Sequence, residues 1–390
     1  MRDKINFTIS KKAQNFHEES FVIPHEIKSL FIDIKLPEEC RYMGYIILRD
    51  EKGAVRLQKL LGYGEQKLAI GSDGETTTVG GVPGKIMPGE WKVGLGIFTE
   101  YVEQHMGQGE SVLDMVLTDE PGQITEPMGK KVWVKKNSTD MSFEEYQWSA
   151  VYRTGAGWYK GDFHTHTTLS DGKETMVNAM NKAKMMEMDF YVPTEHNLIH
   201  TGWCDTDICI LPGVEITTEK GHFNLSEERY EGADLPSVAG DPSTYVFCEE
   251  LSPETLIRQV RGGHICVTRF CRIIPKITAE GKEYLPGDEI EANGSDVTLN
   301  YAASIEGLNV IPKAYMIKNG EKKEIKVTDG GDNNYYISEK VCLTGNEWNW
   351  VRIEVRKSDG TFLGYVNPVF CGSKSSACKT IEEIWNKMNC

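Results

Sequence analysis

The sequence lacks the features that mark several common classes of protein. No apolar run approaches the roughly 20 residues that a membrane-spanning helix needs, and the opening residues lead into a polar segment rather than the apolar core of a signal peptide. Positive charge is also scarce, because 43 Lys and Arg stand against 58 Asp and Glu, which gives a net charge of -15. We therefore expect a cytoplasmic protein that has no membrane partner and no nucleic-acid partner beyond short oligonucleotides.

The ten cysteines form no Cys-x-x-Cys pair. This spacing argues against a zinc ribbon and a dithiol redox motif, and it favours buried free thiols. A chain of 390 residues is too long for one typical domain. We predict three domains: a β-sandwich-like domain over 1–150, a shortened α/β domain over 158–275 and a β-rich, sandwich-like domain over 276–390.

The two outer domains are predicted from short β-branched and aromatic runs separated by Gly, Pro and Asp turns. Examples are Leu30–Ile34 and Trp91–Ile97 in the first domain and Trp350–Val355 in the last. A polar stretch between about 137 and 158 is predicted to be the first interdomain connection. A short helix from Thr380 to Met388 is predicted to close the chain.

The pattern changes after residue 158 to short strands alternating with helices. Met176, Met180, Ala183 and Met186 recur at helical spacing. A second helix has Ser252 as its N-cap, Pro253 in the first turn and a glycine pair at 262–263 as its stop. The strands around these helices end repeatedly in His, Asp or Glu, as in parallel α/β barrels that build a site on their carboxyl face.

Seven such residues fall between 164 and 222, each beside a strand end or a glycine turn: His164, His166, Asp171, Glu195, His196, Glu215 and His222. Residues two apart on a strand point to the same face, so His164 and His166 can face one ion. Imidazoles with carboxylates suit Zn, Mn or Fe, and a glutamate can bridge two ions. Two ions roughly 3.5–4 Å apart would clamp a phosphoryl group. The set predicts metal-assisted hydrolysis.

These motifs resemble the PHP (polymerase and histidinol phosphatase) family of metal-dependent phosphoesterases. The matching stretches are His-x-His with Ser-Asp-Gly at 164–172, Thr-Glu-His-Asn at 194–197, and Pro-Gly-Val-Glu-Ile-Thr with Gly-His-Phe-Asn at 212–224. The flanks, at 88–96, 350–355 and 367–370, look like the CehA/McbA-like metallohydrolase branch. The resemblance implies an incomplete (β/α)7-type PHP barrel between two β-sandwich-like domains.

The resemblance also assigns roles position by position. His164, His166 and Glu215 would hold a first ion, and Glu215 would bridge to a second ion that His222 also holds. Asp171 and His196 would belong to a third ion. Glu195 stands where the family usually has Asp, and it would orient His196 or meet a metal. The candidate catalytic residues are His196, His222 and Glu195.

The family's later ligands, a His before Pro and an Asp-x-His motif, are missing after residue 222. Either 267–270 occupies the strand end where His-Pro stands in relatives, or the chain has lost a block of barrel between about 226 and 240. We favour the second alignment. It predicts one to three divalent ions, fewer than in complete family members, with water, phosphate or a nearby side chain as a further ligand. The candidate side chains are Asp234, Asp241, His200 and His264.

The sequence is compatible with three functions. The first is a metal-dependent phosphoesterase that hydrolyses a small phosphate ester or nucleotide by a metal-bound hydroxide. The second is a degenerate PHP pseudo-enzyme that acts as a binding or assembly module. The third is a metal-dependent ester or carbamate hydrolase. An incomplete barrel exposes apolar strand edges, so we also predict a homo-oligomer that covers them.

Overall fold

The computed structural model describes residues 1–62, 66–135, 141–218, 221–223, 239–292, 294–345, 347–372 and 385–386; the side chains of Glu39, Thr218 and 221–223 lie outside the description. The chain divides into two compact units. The first unit contains Met1–Tyr152 and Gly161–Ala239, and the second contains Arg153–Lys160 and Gly240–Cys390.

The first unit begins with strands joined by short turns. Its strands are β1 (Arg2–Ser10), β2 (Phe16–Ile23), β3 (Leu30–Lys35), β4 (Gly44–Arg49), β5 (Val55–Leu60), β6 (Gln66–Ile70), β7 (Gly89–Ile97), β8 (Glu110–Thr118), β9 (Lys131–Val132), β10 (Gly157–Thr165), β11 (Phe190–Pro193), β12 (Gly202–Trp203), β13 (Cys209–Ile210), β14 (Ile216–Thr218) and β15 (Gly221–Phe223). Its helices are α1 (Thr99–Met106) and α2 (Met176–Met185), with 3-10 turns at Glu38–Cys40 and Gly74–Thr76. The boundary between the units falls within β10.

The first eight strands form two four-stranded antiparallel sheets, in the orders β1-β8-β3-β6 and β2-β7-β4-β5. Alternate residues of both sheets point inward and share one core, which includes Phe7, Ile32, Leu48, Trp91 and Leu113. This period-two burial is the reason that the segment folds as two packed layers.

Beyond this sandwich, three strands of the first unit run parallel. β11 pairs with β10 on one side and with β13 on the other. Helix α2 connects β10 to β11, with Thr175 as its N-cap and with Met176, Ala179, Met180 and Ala183 buried. A core cluster joins Met180 and Tyr191 to Leu60 and Val79 of the preceding β segment. The parallel strands and the β sandwich are therefore packed as one body.

The second unit is built of two further layers. Its elements are β16 (Ser243–Cys248), α3 (Pro253–Gly262), β17 (Ile265–Thr268), β18 (Arg272–Ala279), β19 (Lys282–Tyr284), β20 (Val297–Glu306), β21 (Lys313–Lys318), β22 (Glu321–Ile325), β23 (Val327–Gly331), β24 (Asn334–Leu343), β25 (Asn349–Arg356), β26 (Phe362–Val366) and β27 (Val369–Cys371). One layer has the order β19-β18-β20-β24-β23 and the other β16-β17-β26-β25-β21-β22, with β27 beside β25. Both contribute to one core around Tyr301, Ile353 and Leu363.

The predicted fold class is wrong. Of the residues that the structure describes, 48% lie in strands and 10% in helices, and these residues contain three α-helices. A (β/α)7-type barrel needs a helix after each parallel strand, but among the described helices only α2 connects two parallel strands. Between Pro193 and Cys209 the chain forms turns and the two-residue strand β12. The strand-end motifs are arranged in a small parallel patch on a mostly antiparallel protein, and not in a shortened PHP barrel.

Several other expectations stay predictions. A compact unit can contain more than one domain, so the three-domain division is still open. The homo-oligomer is also a prediction, although its stated reason, the edges of an incomplete barrel, no longer applies. The helix predicted at 380–388 lies outside the described residues except for 385–386. Across the described part of the chain, no helix has both the length and the apolar character to cross a membrane.

Candidate metal centre

The candidate site lies where the three parallel strands of the first unit end. β10 ends at Thr165 and is followed by His166, β11 delivers Glu195 and His196, and the chain after β13 delivers Glu215. A β-bridge pairs His196 with Glu215 in parallel. The carboxyl ends of parallel strands meet at one edge, where backbone pairing stops and side chains converge. Residues far apart in sequence therefore share one small region.

A first group consists of His164, His166 and Glu215. The two Nε2 atoms lie 3.0 Å apart, and Glu215 Oε2 lies 3.1 Å from that of His164 and 3.0 Å from that of His166. A tetrahedral Zn²⁺ with ligands at about 2.0–2.1 Å places its ligand atoms roughly 3.3 Å apart, and an octahedral ion with ligands at about 2.1 Å places them roughly 3.0 Å apart. The triangle therefore has the right size for one divalent ion.

A second group consists of His166, Asp171 and His196. Asp171 Oδ1 lies 3.5 Å from His166 Nδ1, and its Oδ2 lies 3.3 Å from His196 Nε2. The other ring nitrogen of His196 faces Thr217 Oγ1 at 2.6 Å and Glu215 Oε2 at 3.2 Å. Asp171 is the most exposed member of the group, so this group is more open to solvent than the first.

The two groups share His166 through different ring nitrogens, Nε2 toward Glu215 and Nδ1 toward Asp171. A neutral imidazole has one nitrogen with a free lone pair, because the other carries the proton. His166 as a neutral ligand can therefore serve one group at a time. Burial lowers the pKa of His166, which favours this neutral form.

The carboxylates of the two groups are held in their charged form. Burial opposes ionisation of Glu215, but the neighbouring imidazoles, His196 first, outweigh it and lower its pKa. Burial likewise opposes ionisation of Asp171, and its hydrogen bond with His196 brings its pKa to about 2. For His196, burial works against the charged ring, but the bond to Asp171 raises its pKa. The site thus combines two anionic ligands with one imidazole that is biased toward holding a proton.

Glu195 does not join either group. Its side chain is fully buried, and its Oε1 accepts hydrogen bonds from the backbone and hydroxyl of Thr167 at 2.8 and 2.6 Å and from His200 Nε2 at 2.8 Å. Its Oε2 accepts from the backbone and hydroxyl of Ser170. Burial raises the pKa of Glu195, but these bonds, His200 first, lower it overall. Glu195 thus fixes the chain around Asp171 and, as placed, does not face a metal position.

The remaining predicted ligands are placed elsewhere or lie outside the description. His222 lies on β15 opposite Thr217, and its side chain is not described; Asp234 is not described. His200 is buried against Glu195, and its Nδ1 has no hydrogen-bond partner among the described residues.

The two candidates in the second unit have local partners. Asp241 accepts two hydrogen bonds from Arg269, at 2.9 and 3.0 Å. His264 bonds to Gln259 and, at 3.1 Å, to Asp288.

Sequence reasoning did not identify three polar residues that contact the site. Thr217 bonds to the ring of His196, and Thr167 and Ser170 hold Glu195. Ser170 precedes Asp171 in the Ser-Asp-Gly turn, which was the available signal for its position. Thr217 lies on β14, two residues after Glu215, and Glu215 pairs with His196 just before that strand, so the alternation of extended chain was the signal for Thr217.

In comparisons with known proteins, no protein-family model matches the chain, and no curated protein sequence matches it.

Proposed function

We propose that the chain is a metal-dependent hydrolase that acts on a small phosphate ester. The observation that carries the proposal is the triangle of His164, His166 and Glu215, whose ligand atoms lie 3.0–3.1 Å apart at the carboxyl edge of parallel strands. Ring nitrogens and a buried carboxylate oxygen at this spacing suit a divalent Zn, Mn or Fe ion.

The shared use of His166 supports one ion at a time in the two described groups. We place it in the first group, because Glu215 is buried while Asp171 is largely exposed. When bound there, the ion would supply positive charge to a phosphate oxygen and make a nearby water more acidic. The three residues would hold this positive charge in a chain whose net charge is -15.

His196 is the candidate general acid. Its Nε2 faces Asp171 at 3.3 Å, and that carboxylate raises the pKa of the ring. The ring therefore holds its proton to a higher pH than an ordinary histidine does, and it lies within reach of a leaving oxygen placed beside the first group. Asp171 would keep the ring oriented and would stabilise its charged form. Glu195 contributes by holding the turn that carries Asp171.

The test begins with metal content. Protein purified without a histidine tag or added metal would be compared with the double variant His164→Ala/His166→Ala and with the control His25→Ala, which changes an exposed histidine of the β sandwich. We expect about one equivalent of metal in wild type and in the control, and little in the double variant. Elemental analysis measures this directly.

Activity is the second half of the test. Hydrolysis of p-nitrophenyl phosphate and nucleoside monophosphates should disappear in chelator and in the double variant and should return when metal is restored to wild type. If the protein binds metal and hydrolyses carboxylic or carbamic esters but not phosphate esters, the ester-hydrolase function would replace the phosphoesterase function. Metal content that is near zero, and equal in wild type and the double variant, would leave the binding-module function.

A further inference from the structure

The β sandwich of the first unit contacts the loop that carries Asp171. We call residues 166–175 the ligand loop; it connects β10 to α2. Strand β5 runs beside it: the backbone amide of Leu60 donates to the Leu169 carbonyl at 3.2 Å, and Lys59 Nζ donates to the Thr168 carbonyl at 2.6 Å. Two consecutive residues of the sandwich thus hold two consecutive residues of the ligand loop.

Glu126 holds the same loop at both ends. Its Oε2 accepts a hydrogen bond from the Thr168 hydroxyl, and its Oε1 accepts one from the backbone amide of Met176 at 2.9 Å. Met176 is the first residue of α2, so this amide has no partner within the helix. The carboxylate of Glu126 therefore ties the beginning of the ligand loop to its end, with Asp171 between them.

These two side chains are charged, yet they are almost buried, with Lys59 5% and Glu126 9% exposed. Burying charge is costly unless it is paired and hydrogen-bonded. Burial lowers the pKa of Lys59, and the carboxylates of Glu126 and Glu195 oppose that shift. The two residues thus place opposite buried charges beside the ligand loop, and each is hydrogen-bonded to the loop or to the first residue of α2.

Apolar packing holds one residue of the loop, because Leu169 is fully buried in a core cluster with Leu60 and Val79. A cavity of about 140 Å³ lies beside the loop, and its lining includes Lys59, Glu126, Thr168, Ser170 and Gly172. Where a cavity replaces close packing, a segment loses dispersion contacts on that side. On the side of the cavity, the hydrogen bonds of Lys59 and Glu126 add polar side-chain restraints to the backbone bond between Leu60 and Leu169.

We propose that Lys59 and Glu126 are positioning residues of the metal centre, which hold the ligand loop so that Asp171 faces His166 and His196. This inference rests on the proposed function, because it gives the two residues a purpose only if the site binds an ion. The N-terminal β sandwich would then help to shape the metal site, although it contributes no ligand to it.

The test compares the double variant Lys59→Met/Glu126→Gln with wild type. Removing both charges together avoids leaving one of them buried and unpaired. The matched control is Lys92→Met/Glu18→Gln, which removes an ion pair of 3.0 Å on the same sandwich whose side chains are 48% and 30% exposed. The single variants Lys59→Met and Glu126→Gln separate the two contributions.

Hydrogen exchange in the metal-free, full-length protein is the first readout. We expect peptides covering 167–176 to exchange at least about tenfold faster in the Lys59/Glu126 variant, while peptides of β1, β3 and β8 keep their wild-type protection. The control should match wild type throughout. Wild-type exchange of 167–176 in the folded double variant would overturn the proposal, and so would a uniform loss of protection across the whole unit.

Metal affinity is the second readout, with Zn²⁺ and Mn²⁺ as the probes in calorimetric titration. We expect a 10- to 100-fold weaker affinity in the Lys59/Glu126 variant, because the ligand loop begins with His166, a ligand of the first group, and the loss of residues that orient ligands has effects of this size. Unchanged affinity together with unchanged exchange would refute the positioning role and leave the proposed function intact. If wild type binds neither ion but the loop exchange changes as expected, the proposed function fails, and the two residues hold the loop for another purpose.

Discussion

Two buried glutamates, one in each unit, show what separates a candidate metal site from a structural ion cluster. Glu215 of the first unit is 2% exposed and Glu354 of the second is 6% exposed. Burial works against ionisation of both, and in both the surrounding groups lower the pKa. The two carboxylates thus have similar burial and the same charge.

Their partners differ. Glu354 accepts hydrogen bonds from Lys322 Nζ at 2.7 Å and Arg356 Nε at 2.6 Å. Glu215 faces the ring nitrogens of three histidines at 3.0–3.2 Å. An imidazole can lose its proton and offer a lone pair to a metal ion, whereas an ammonium or guanidinium group has none to offer. The chemistry of the neighbours, and not burial, makes Glu215 the candidate ligand.

The largest effect that follows from this comparison is on metal affinity. Glu215→Gln should weaken binding of Zn²⁺ or Mn²⁺ at least about 100-fold, because it removes a charged ligand, whereas Glu354→Gln should leave binding unchanged. Isothermal titration calorimetry of both variants beside wild type measures the two effects. Equal affinities in the three proteins would show that Glu215 is not a ligand.

Local signals in the sequence predicted local structure well. Helix α3 has Ser252 as its N-cap, Pro253 in its first turn and Gly263 as its C-cap, as predicted, because each of these signals acts within one helical turn. The pair His164 and His166 was expected to face one ion, and the structure brings the two rings together. This follows from the alternation of side chains along a strand, which needs no knowledge of the fold.

The arrangement of the strands could not be predicted in the same way. Ligand-type residues at strand ends fit any small parallel sheet. From the sequence they indicate a barrel, whereas the structure has one pair of parallel strands joined by a helix, β10 and β11, with β13 beside β11. The contacts of Lys59 with Thr168 and of Glu126 with Met176 span 109 and 50 residues. A single sequence has no local signal for such pairings. His264, one of the side chains offered as a further ligand, bonds to Gln259 and Asp288 of its own unit.

A smaller effect should appear in stability. Glu354→Gln should lower the free energy of unfolding of the second unit by about 1–2 kcal/mol, because it leaves Lys322 and Arg356 without their shared carboxylate, although both retain access to water. In metal-free protein, Glu215→Gln should change the first unit by less, since the neighbouring imidazoles can give up a proton. Urea unfolding, followed by hydrogen exchange of peptides from each unit at pH 7, measures both changes. A larger loss for Glu215→Gln would reverse the comparison.

The smallest effect concerns pH, because the stability that depends on Glu354 and the metal binding that depends on Glu215 should be lost in different pH ranges. The pKa of Glu354 is lowered from its ordinary 4.5 on folding, so its contribution to stability is present above about pH 4.5 and is lost as the pH falls through the folded pKa. The metal centre should fail earlier, between about pH 6.5 and 5, because protons compete with the ion for the imidazoles. Burial lowers the pKa of His166, which extends binding toward the lower end of that range. Metal content after dialysis at each pH, beside the stability difference between wild type and Glu354→Gln, gives the two curves. Coincident curves would mean that the ion depends on a carboxylate alone and not on the histidines.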